Sequence, residues 1–327
     1  MQRRDFIRAI AGSAAATTAA WPFSALAQQT KRMPRIGILL FTKNDLTIID
    51  PLLRRLEALG YVDGKTVAIE YRDAGADYEQ LPSAADEVVR LNPDVIFSYG
   101  GEQAPILKRA TSTIPIVVVV SNDPVASELV ASLARPGGNI TGLTYVSDQL
   151  AGKAIELLKG AAPSVSRVAI LWNPNHTDPE FRETGRVAPL LSIKLQSLEV
   201  RKADDFDGAF QAAIRGKAEA LIALGSRLMF LRRQQIGDFA AQNRLILVGT
   251  PAWIPAVGGL LSYGANAVEM NRLAAGYIDK ILKGAKPADL PMQQPATFEL
   301  VINLKAAKAL GFAVPPSLLA AADKVIE

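Results

Sequence analysis

Short apolar runs rich in β-branched residues alternate with amphipathic stretches along most of the chain. The first run, 35–41, is continuously apolar, as expected of a strand that is buried on both faces of a sheet. Leu52, Leu56 and Leu59 then recur at helical spacing, and Gly60 ends that predicted helix. Because this alternation is typical of βα units, it predicts an α/β fold with parallel sheets.

The alternation falls into two series of about five units each, which predicts two doubly wound parallel-sheet lobes rather than one large sheet. A length of 327 residues agrees with two domains at about 150 residues each. Further strands are predicted at 67–71, 95–99, 116–120, 168–172, 195–200, 220–224, 245–248, 259–262 and 298–303. Further helices are predicted at 81–91, 105–111, 124–133, 152–160, 206–214, 230–242 and 270–282.

Composition narrows the class of protein. The chain contains no cysteine, which excludes thiolate metal sites, disulfides and a cysteine nucleophile. The formal net charge is +4, and lysine and arginine are scattered among acidic residues. A nucleic-acid-binding protein normally shows a basic stripe, so no nucleic-acid partner is expected. Beyond the N-terminus no apolar run reaches the ~20 residues of a membrane-spanning helix.

Residues 1–27 have the features of an export signal. An arginine pair at 3–4 precedes an alanine-rich apolar stretch, and Ala25-Leu-Ala27 fits a cleavage site. The run 3–8, Arg-Arg-Asp-Phe-Ile-Arg, resembles the twin-arginine signature. We therefore expect a twin-arginine-type signal peptide that is cleaved near Ala27, and a mature protein in the periplasm. Since no cysteine follows, a lipid anchor is not expected.

Recognisable catalytic motifs are absent from the sequence. It contains no phosphate-binding Gly-x-x-x-x-Gly-Lys run, no Gly-x-Ser-x-Gly elbow and no His-Glu-x-x-His helix. His176, the single histidine, follows Asn-Pro-Asn and is predicted to be a solvated loop residue. Asp204, Asp205 and Asp207 begin a predicted helix, whose dipole favours negative charge there. We therefore predict no catalytic residue, no metal and no cofactor.

Predicted strands instead end repeatedly in small or polar residues just before a helix. In open α/β sheets, ligands bind outside the carboxyl ends of the strands. The same residue types also cap helices, so any one of them could serve only as a cap. Six such ends together predict a small-ligand site, and they are Phe41-Thr42, Tyr99-Gly-Gly101, Ser121-Asn-Asp-Pro124, Asn173-Pro-Asn175, Gly225-Ser226 and Thr250-Pro251.

Three stretches resemble a known family: Ser-Asn-Asp-Pro-Val-Ala at 121–126, Leu-Ala-Arg-Pro-Gly-Gly-Asn-Ile-Thr-Gly at 133–142, and Phe-Glu-Leu-Val-Ile-Asn-Leu-Lys-Ala-Ala-Lys-Ala-Leu-Gly at 298–311. They resemble the ABC transporter substrate-binding proteins of the tryptophan/tyrosine-type uptake systems, which are type I periplasmic binding proteins. The likeness runs from about Arg35 to Glu327. The run Tyr99-Gly-Gly-Glu102 departs from the family pattern, because it lacks the threonine that often follows the glycine.

The resemblance implies two lobes that enclose a ligand and are joined by a three-segment hinge near 141–145, 262–264 and 291–297. Lobe 1 would comprise 33–143 plus 264–292, and lobe 2 would comprise 144–263 plus 293–327. The ligand-binding residues implied by position are Phe41, Thr42, Gly100, Gly101, Ser121 and Asp123 from the first lobe, and Asn173, Ser226, Thr250 and Tyr263 from the second lobe or the hinge.

The function implied by the resemblance is that of a monomeric periplasmic solute-binding subunit of an ABC importer. It would capture a small polar ligand, such as an aromatic or other amino acid, and pass it to an inner-membrane permease without covalent chemistry. A secreted hydrolase is an alternative, which requires two titratable groups paired in a pocket on one lobe. A ligand sensor without transport is another. A repressor with this fold would need an N-terminal helix-turn-helix, where this chain has an export signal.

Overall fold

Two separate sheets, both mainly parallel, form the framework of the protein, so the predicted α/β class with two lobes is confirmed. The computed structural model describes residues 32–146, 150, 152–176 and 179–327. The predicted signal peptide, 1–27, lies outside these described residues.

The first sheet has five strands, all parallel, in the order β2-β1-β3-β4-β5. The strands are β1 Arg35–Leu40, β2 Ala68–Asp73, β3 Val95–Tyr99, β4 Ile116–Val120 and β5 Ile140–Thr144. Its central strands are continuously apolar because helices cover both faces of the sheet.

The second sheet has seven strands in the order β12-β11-β10-β9-β8-β6-β7. The pair β10 and β11 is antiparallel, and the other neighbours are parallel. The strands are β6 Arg167–Trp172, β7 Lys194–Glu199, β8 Ala220–Ala223, β9 Ile246–Gly249, β10 Leu261–Ala265, β11 Phe298–Asn303 and β12 Lys324–Ile326.

Helices pack on both faces of each sheet and bury the apolar side of their amphipathic pattern against it. Those near the first sheet in sequence are α1 Asp45–Ala58, α2 Leu81–Arg90 and α3 Gln103–Ala110. The others are α4 Lys153–Ala161, α5 Glu180–Val187, α6 Asp205–Arg215, α7 Arg227–Leu231, α8 Arg233–Gln242, α9 Ala267–Leu282, α10 Leu304–Leu310 and α11 Pro316–Ala320. No helix within the described ranges is long and apolar enough to cross a membrane.

The chain passes between the two sheets at three places. It leaves the first sheet after β5 and the second sheet after β10. Helix α9 then packs on the first sheet, where Met270, Ala274 and Ile278 join the core that contains Ile36 and Ile38 of β1. The third passage follows residue 292 and ends at β11. The structure thus assigns each strand to one of the two sheets. The residue numbers at which one lobe ends and the other begins stay a prediction.

The predicted helix at 124–133 is wrong, because this segment forms a series of turns. Asp123 Oδ1 accepts the N–H groups of Val125 and Ala126 at 2.9 and 3.0 Å. Glu128 has φ of 56°, in the left-handed region that ends a helical turn. Leu129 and Val130 pack into the core after that turn rather than along a helix face.

The sequence pattern also failed to predict β5, β12 and α5. Strand β5 combines threonine and glycine with two large apolar residues, yet all five of its residues are buried. The two threonine side chains of β5 can be buried because each hydroxyl donates a hydrogen bond to a backbone carbonyl. Thr141 Oγ1 donates to the Leu290 carbonyl at 2.7 Å, and Thr144 Oγ1 donates to the Asn122 carbonyl at 3.3 Å.

Gly142→Ala should destabilise the first lobe by about 1–3 kcal/mol or more, as expected for a strained backbone conformation. Gly142 pairs with Val118 of β4, and its own backbone has a φ of 137°. A Cβ added to Gly142 would lie 2.0 Å from the Val118 carbonyl oxygen. Gly138→Ala is the matched control, since a Cβ there meets nothing within 4 Å. Urea unfolding measures both variants, and equal midpoints would contradict this account of β5.

Candidate functional site

A cavity of about 390 Å³ lies where strands of both sheets end. Its walls come from the segments that follow β3, β4 and β5 of the first sheet and from those that follow β6, β8 and β9 of the second sheet. Such a volume falls in the range of small-molecule pockets, about 300–1,000 Å³. The cavity can therefore hold a small organic molecule in contact with both lobes.

Aromatic side chains form much of the cavity wall. They are Tyr99 and Tyr145, at strand ends of the first sheet, and Phe230 and Trp253, in the segments after β8 and β9 of the second sheet. The two tyrosine rings meet edge to face, with hydroxyl oxygens 3.3 Å apart. Burial raises the pKa of Tyr99, and it raises the pKa of Tyr145 well above 10.0. Both phenols therefore stay neutral near pH 7, and the wall offers apolar surface with one hydroxyl pair.

A buried ion pair joins the lobes beside the cavity. Asp45, at the start of α1, accepts hydrogen bonds from Nη1 and Nη2 of Arg227 at 2.7 and 2.8 Å. The side chains are only 1% and 4% exposed, respectively. Asp45 Oδ2 also accepts the backbone N–H groups of Phe41 and Thr42, at 3.0 and 3.3 Å. The carboxylate is thus held by its own lobe while it binds the guanidinium of the other.

Arg227 reaches further first-lobe groups. Its backbone N–H donates to Glu102 Oε1 at 3.3 Å, and its Nη2 donates to the Tyr99 carbonyl at 3.4 Å. Its guanidinium carbon lies 5.2 Å from the centroid of the Phe41 ring, within the range of a cation–π contact. Helix α7 therefore begins against two segments of the first lobe, the one after β1 and the one after β3.

Two further carboxylates line the cavity, one from each lobe. Glu180 Oε2 accepts a hydrogen bond from the Thr250 hydroxyl at 3.1 Å. Glu102 lies at the start of α3, and its Oε2 is buried with no hydrogen-bond partner among the described residues. A buried carboxylate oxygen without a donor is costly unless another group satisfies it.

Four of the ten predicted ligand-binding residues line the cavity: Gly100, Ser121, Ser226 and Thr250. Ser226 also caps α7, because its Oγ accepts the Met229 N–H at 3.3 Å. These four come from both lobes, so the strand ends converge on one cavity as the sequence suggested. Their contact with a ligand stays a prediction.

The other six predicted residues lie outside the cavity lining. Phe41 and Thr42 bind Asp45, and Gly101 packs against Asn122. The remaining three have structural contacts of their own. Asp123 caps the turn at 124–128, Asn173 Oδ1 accepts the Asn175 N–H at 2.9 Å, and Tyr263 packs on Phe298 with ring centroids 5.8 Å apart.

The prediction for His176 needs correction. It was expected to be a solvated loop residue, but its Nε2 is buried and has no hydrogen-bond partner among the described residues. Its Cε1 lies 3.4 Å from where a Cβ of Gly101 would be. The loop after β6 therefore packs against the loop after β3, a second contact between the lobes.

Sequence patterns did not identify the charged residues of the site, which are Asp45, Glu102, Glu180 and Arg227. Each lies in or directly before the first turn of a helix that follows a predicted strand end. Asp45 and Arg227 are 182 residues apart in sequence, so no local pattern connects them. The available signal was weaker: Glu102 and Arg227 immediately follow small or polar strand ends, and Asp45 lies three residues after Thr42.

Two lobes of this fold with a cavity at their strand ends are the arrangement of a protein that binds a small molecule between its lobes. The chain belongs to the family of ABC transporter substrate-binding proteins, whose family model matches residues 36–326. The predicted family and the predicted function in solute binding for ABC transport are thereby confirmed.

Individual relatives agree with this assignment. The tyrosine-binding protein of Clostridioides difficile (strain R20291) is 24% identical over 261 residues, which cover 79% of this chain and 74% of that protein. A conserved domain protein from Vibrio cholerae is 28% identical with a TM-score of 0.81, covering 90% of this chain and 100% of that one. An ABC domain from Streptococcus pneumonia, solved in complex with L-Trp, is 23% identical with a TM-score of 0.81, covering 90% and 99%.

The alternative of a secreted hydrolase gains no support from these relatives. Among the described residues, no group of three or more histidine and acidic side chains is placed to hold a metal ion. The cavity draws on both lobes, whereas the hydrolase alternative requires a pocket on one lobe.

Tyr145→Phe should lessen the loss of stability at alkaline pH. Burial raises the pKa of Tyr145 well above 10.0, so the folded chain keeps this phenol protonated while the unfolded chain loses the proton above about pH 10. The contribution of the protonated Tyr145 phenol to the free energy of unfolding is complete below about pH 10 and is lost as the pH rises further. Urea midpoints from about pH 9 to about pH 11 should fall more steeply in the wild type than in the variant. Parallel curves would contradict the burial of this phenol.

Proposed function

We propose that this chain captures a small organic solute in the cavity between its lobes and delivers it to an ABC permease of the inner membrane. The observation that carries the proposal is the cavity itself, which takes side chains from both lobes at the strand ends. In open α/β sheets this is the position where ligands bind. Binding and release, rather than covalent chemistry, are the work of such a site.

The solute has an apolar or aromatic body. Tyr99, Phe230 and Trp253 line the cavity, and stacked or edge-to-face contacts with such rings add to the energy of burial. The relatives with a named ligand, one tyrosine-binding and one bound to L-Trp, support a solute of this size and character. Gly100, Ser121, Ser226 and Thr250 supply polar contacts around it.

Capture proceeds by closure of the two lobes about the hinge. The Asp45–Arg227 pair supports this step, because its two side chains come from different lobes and meet beside the cavity. Separation of the lobes would return both charges to water. The pair therefore forms as the lobes close and stabilises the closed arrangement.

Export to the periplasm completes the proposal. The stretch 1–27 carries an arginine pair, an apolar run and a small-residue cleavage site, which supports a twin-arginine-type signal cleaved near Ala27. Substrate-binding proteins of this family typically work outside the cytoplasm. We propose that the mature protein is a free monomer.

A thermal-melting screen of amino acids, amines, carboxylates, sugars and nucleosides tests the proposed function. A solute that binds only the folded chain raises the melting temperature, by an amount that grows with its concentration. The same solute should change the intrinsic tryptophan fluorescence in a saturable way. That change should be lost in Trp253→Phe, because Trp253 lines the cavity.

Trp172→Phe is the matched control for this experiment. Trp172 lies outside the cavity lining, stacks on Phe181 with centroids 3.8 Å apart and donates to Ser197 Oγ at 2.8 Å. Its replacement should leave the solute-dependent change intact. A change that is lost in Trp172→Phe and kept in Trp253→Phe would place the solute elsewhere, and a screen without any stabilising solute would contradict the proposed function.

A further inference from the structure

We propose that the solute is an organic amine whose ammonium group binds the carboxylate of Glu102. This inference rests on the proposed function of the cavity as a solute site, and it narrows the class of solute. An amine with an apolar or aromatic body would suffice, and a carboxylate on the solute would not be required for binding.

Glu102 is placed to receive a cation. It lies on the cavity wall, directly after Gly100 and Gly101. One carboxylate oxygen, Oε1, accepts the backbone N–H of Arg227 at 3.3 Å, which holds the side chain across the boundary between the lobes. The other oxygen, Oε2, is buried and has no hydrogen-bond partner among the described residues. Because Glu102 lines the cavity, an ammonium group placed there would lie beside this carboxylate and compensate its negative charge.

The charges around the cavity favour a cation over an anion. Among the described lining residues, Arg227 alone carries a permanent positive charge, and its guanidinium is committed to Asp45 through two hydrogen bonds. The lining also contains the carboxylates of Glu102 and Glu180. A carboxylate on the solute would therefore meet no uncommitted cation there, whereas an ammonium group would meet Glu102.

The uncharged part of the wall agrees with this class of solute. Tyr99, Tyr145, Phe230 and Trp253 form apolar surface on which a hydrocarbon or aromatic body can pack. The faces of such rings also attract cations, most strongly when water is excluded. One cavity thus combines a carboxylate for the ammonium group with an apolar wall for the rest of the molecule.

Two matched series of probes test the proposal by isothermal titration calorimetry. One series is tryptamine, L-tryptophan and indole-3-propionate, and the other is phenethylamine, L-phenylalanine and 3-phenylpropionate. Within each series the body is similar while the head changes from ammonium to zwitterion to carboxylate. We expect the amine to bind most tightly and the carboxylate to bind least tightly in at least one series.

Glu102→Gln should weaken binding of the amine about tenfold or more, as expected when a charge-assisted hydrogen bond is lost. The amide oxygen can still accept the Arg227 N–H, so the contact between the lobes is retained. Glu57→Gln is the matched control: it makes the same change at an exposed position on α1 and should leave the affinity unchanged.

The outcomes separate this inference from the proposed function. Unchanged amine affinity in Glu102→Gln, tighter binding of the carboxylate, or a melting screen whose stabilising solutes all lack an amino group would overturn the ammonium proposal. Solute binding in the cavity would stand in each of these cases. Absence of binding by every probe and every compound of the screen would overturn both.

Discussion

The buried ion pair between Asp45 and Arg227 is the interaction on which the arrangement of the lobes depends. Two charges that are almost entirely removed from water must compensate one another, and loss of one partner from such a pair costs about 3–5 kcal/mol. Here the cost can be avoided, because the partners belong to different lobes and separation of the lobes restores their hydration. The pair therefore stabilises the arrangement in which the two lobes meet, and in the closure proposed above it is the contact that forms when they meet.

This constraint also shapes the chemistry of the cavity. Because Arg227 is committed to Asp45, the charges left on the lining are carboxylates, and one oxygen of Glu102 has no donor among the described residues. Aromatic rings from both lobes supply the remaining surface. In the proposals above, closure and ligand selection therefore depend on the same side chain, Arg227.

The local parts of this structure could be predicted from the sequence. Strand β4 falls at its predicted bounds because its continuous apolar run is typical of a strand that is buried on both faces. Strands β3 and β11 also fall at their predicted bounds, although each contains polar residues. The rule that ligands bind at the carboxyl ends of strands needs only the local sequence. It therefore picked out four residues that line the cavity: Gly100, Ser121, Ser226 and Thr250. The failures have other causes. Strand β5 owes its burial to hydrogen bonds made with distant carbonyls, and the pairing of Asp45 with Arg227 spans 182 residues and follows from tertiary contact alone.

The most direct test of this account is the distance between the lobes, measured by double electron–electron resonance. Since the chain lacks cysteine, spin labels can be attached at Ala58→Cys on α1 and Lys202→Cys after β7, both exposed positions. The solute that raises the melting temperature is added at saturating concentration to the labelled chain and to its Asp45→Asn variant. Asp50→Asn is the matched control, because Asp50 pairs with Arg54 on the exposed face of α1. The account predicts one short distance in the labelled chain and in Asp50→Asn, and a large longer-distance population in Asp45→Asn. The same short distance in Asp45→Asn would contradict it.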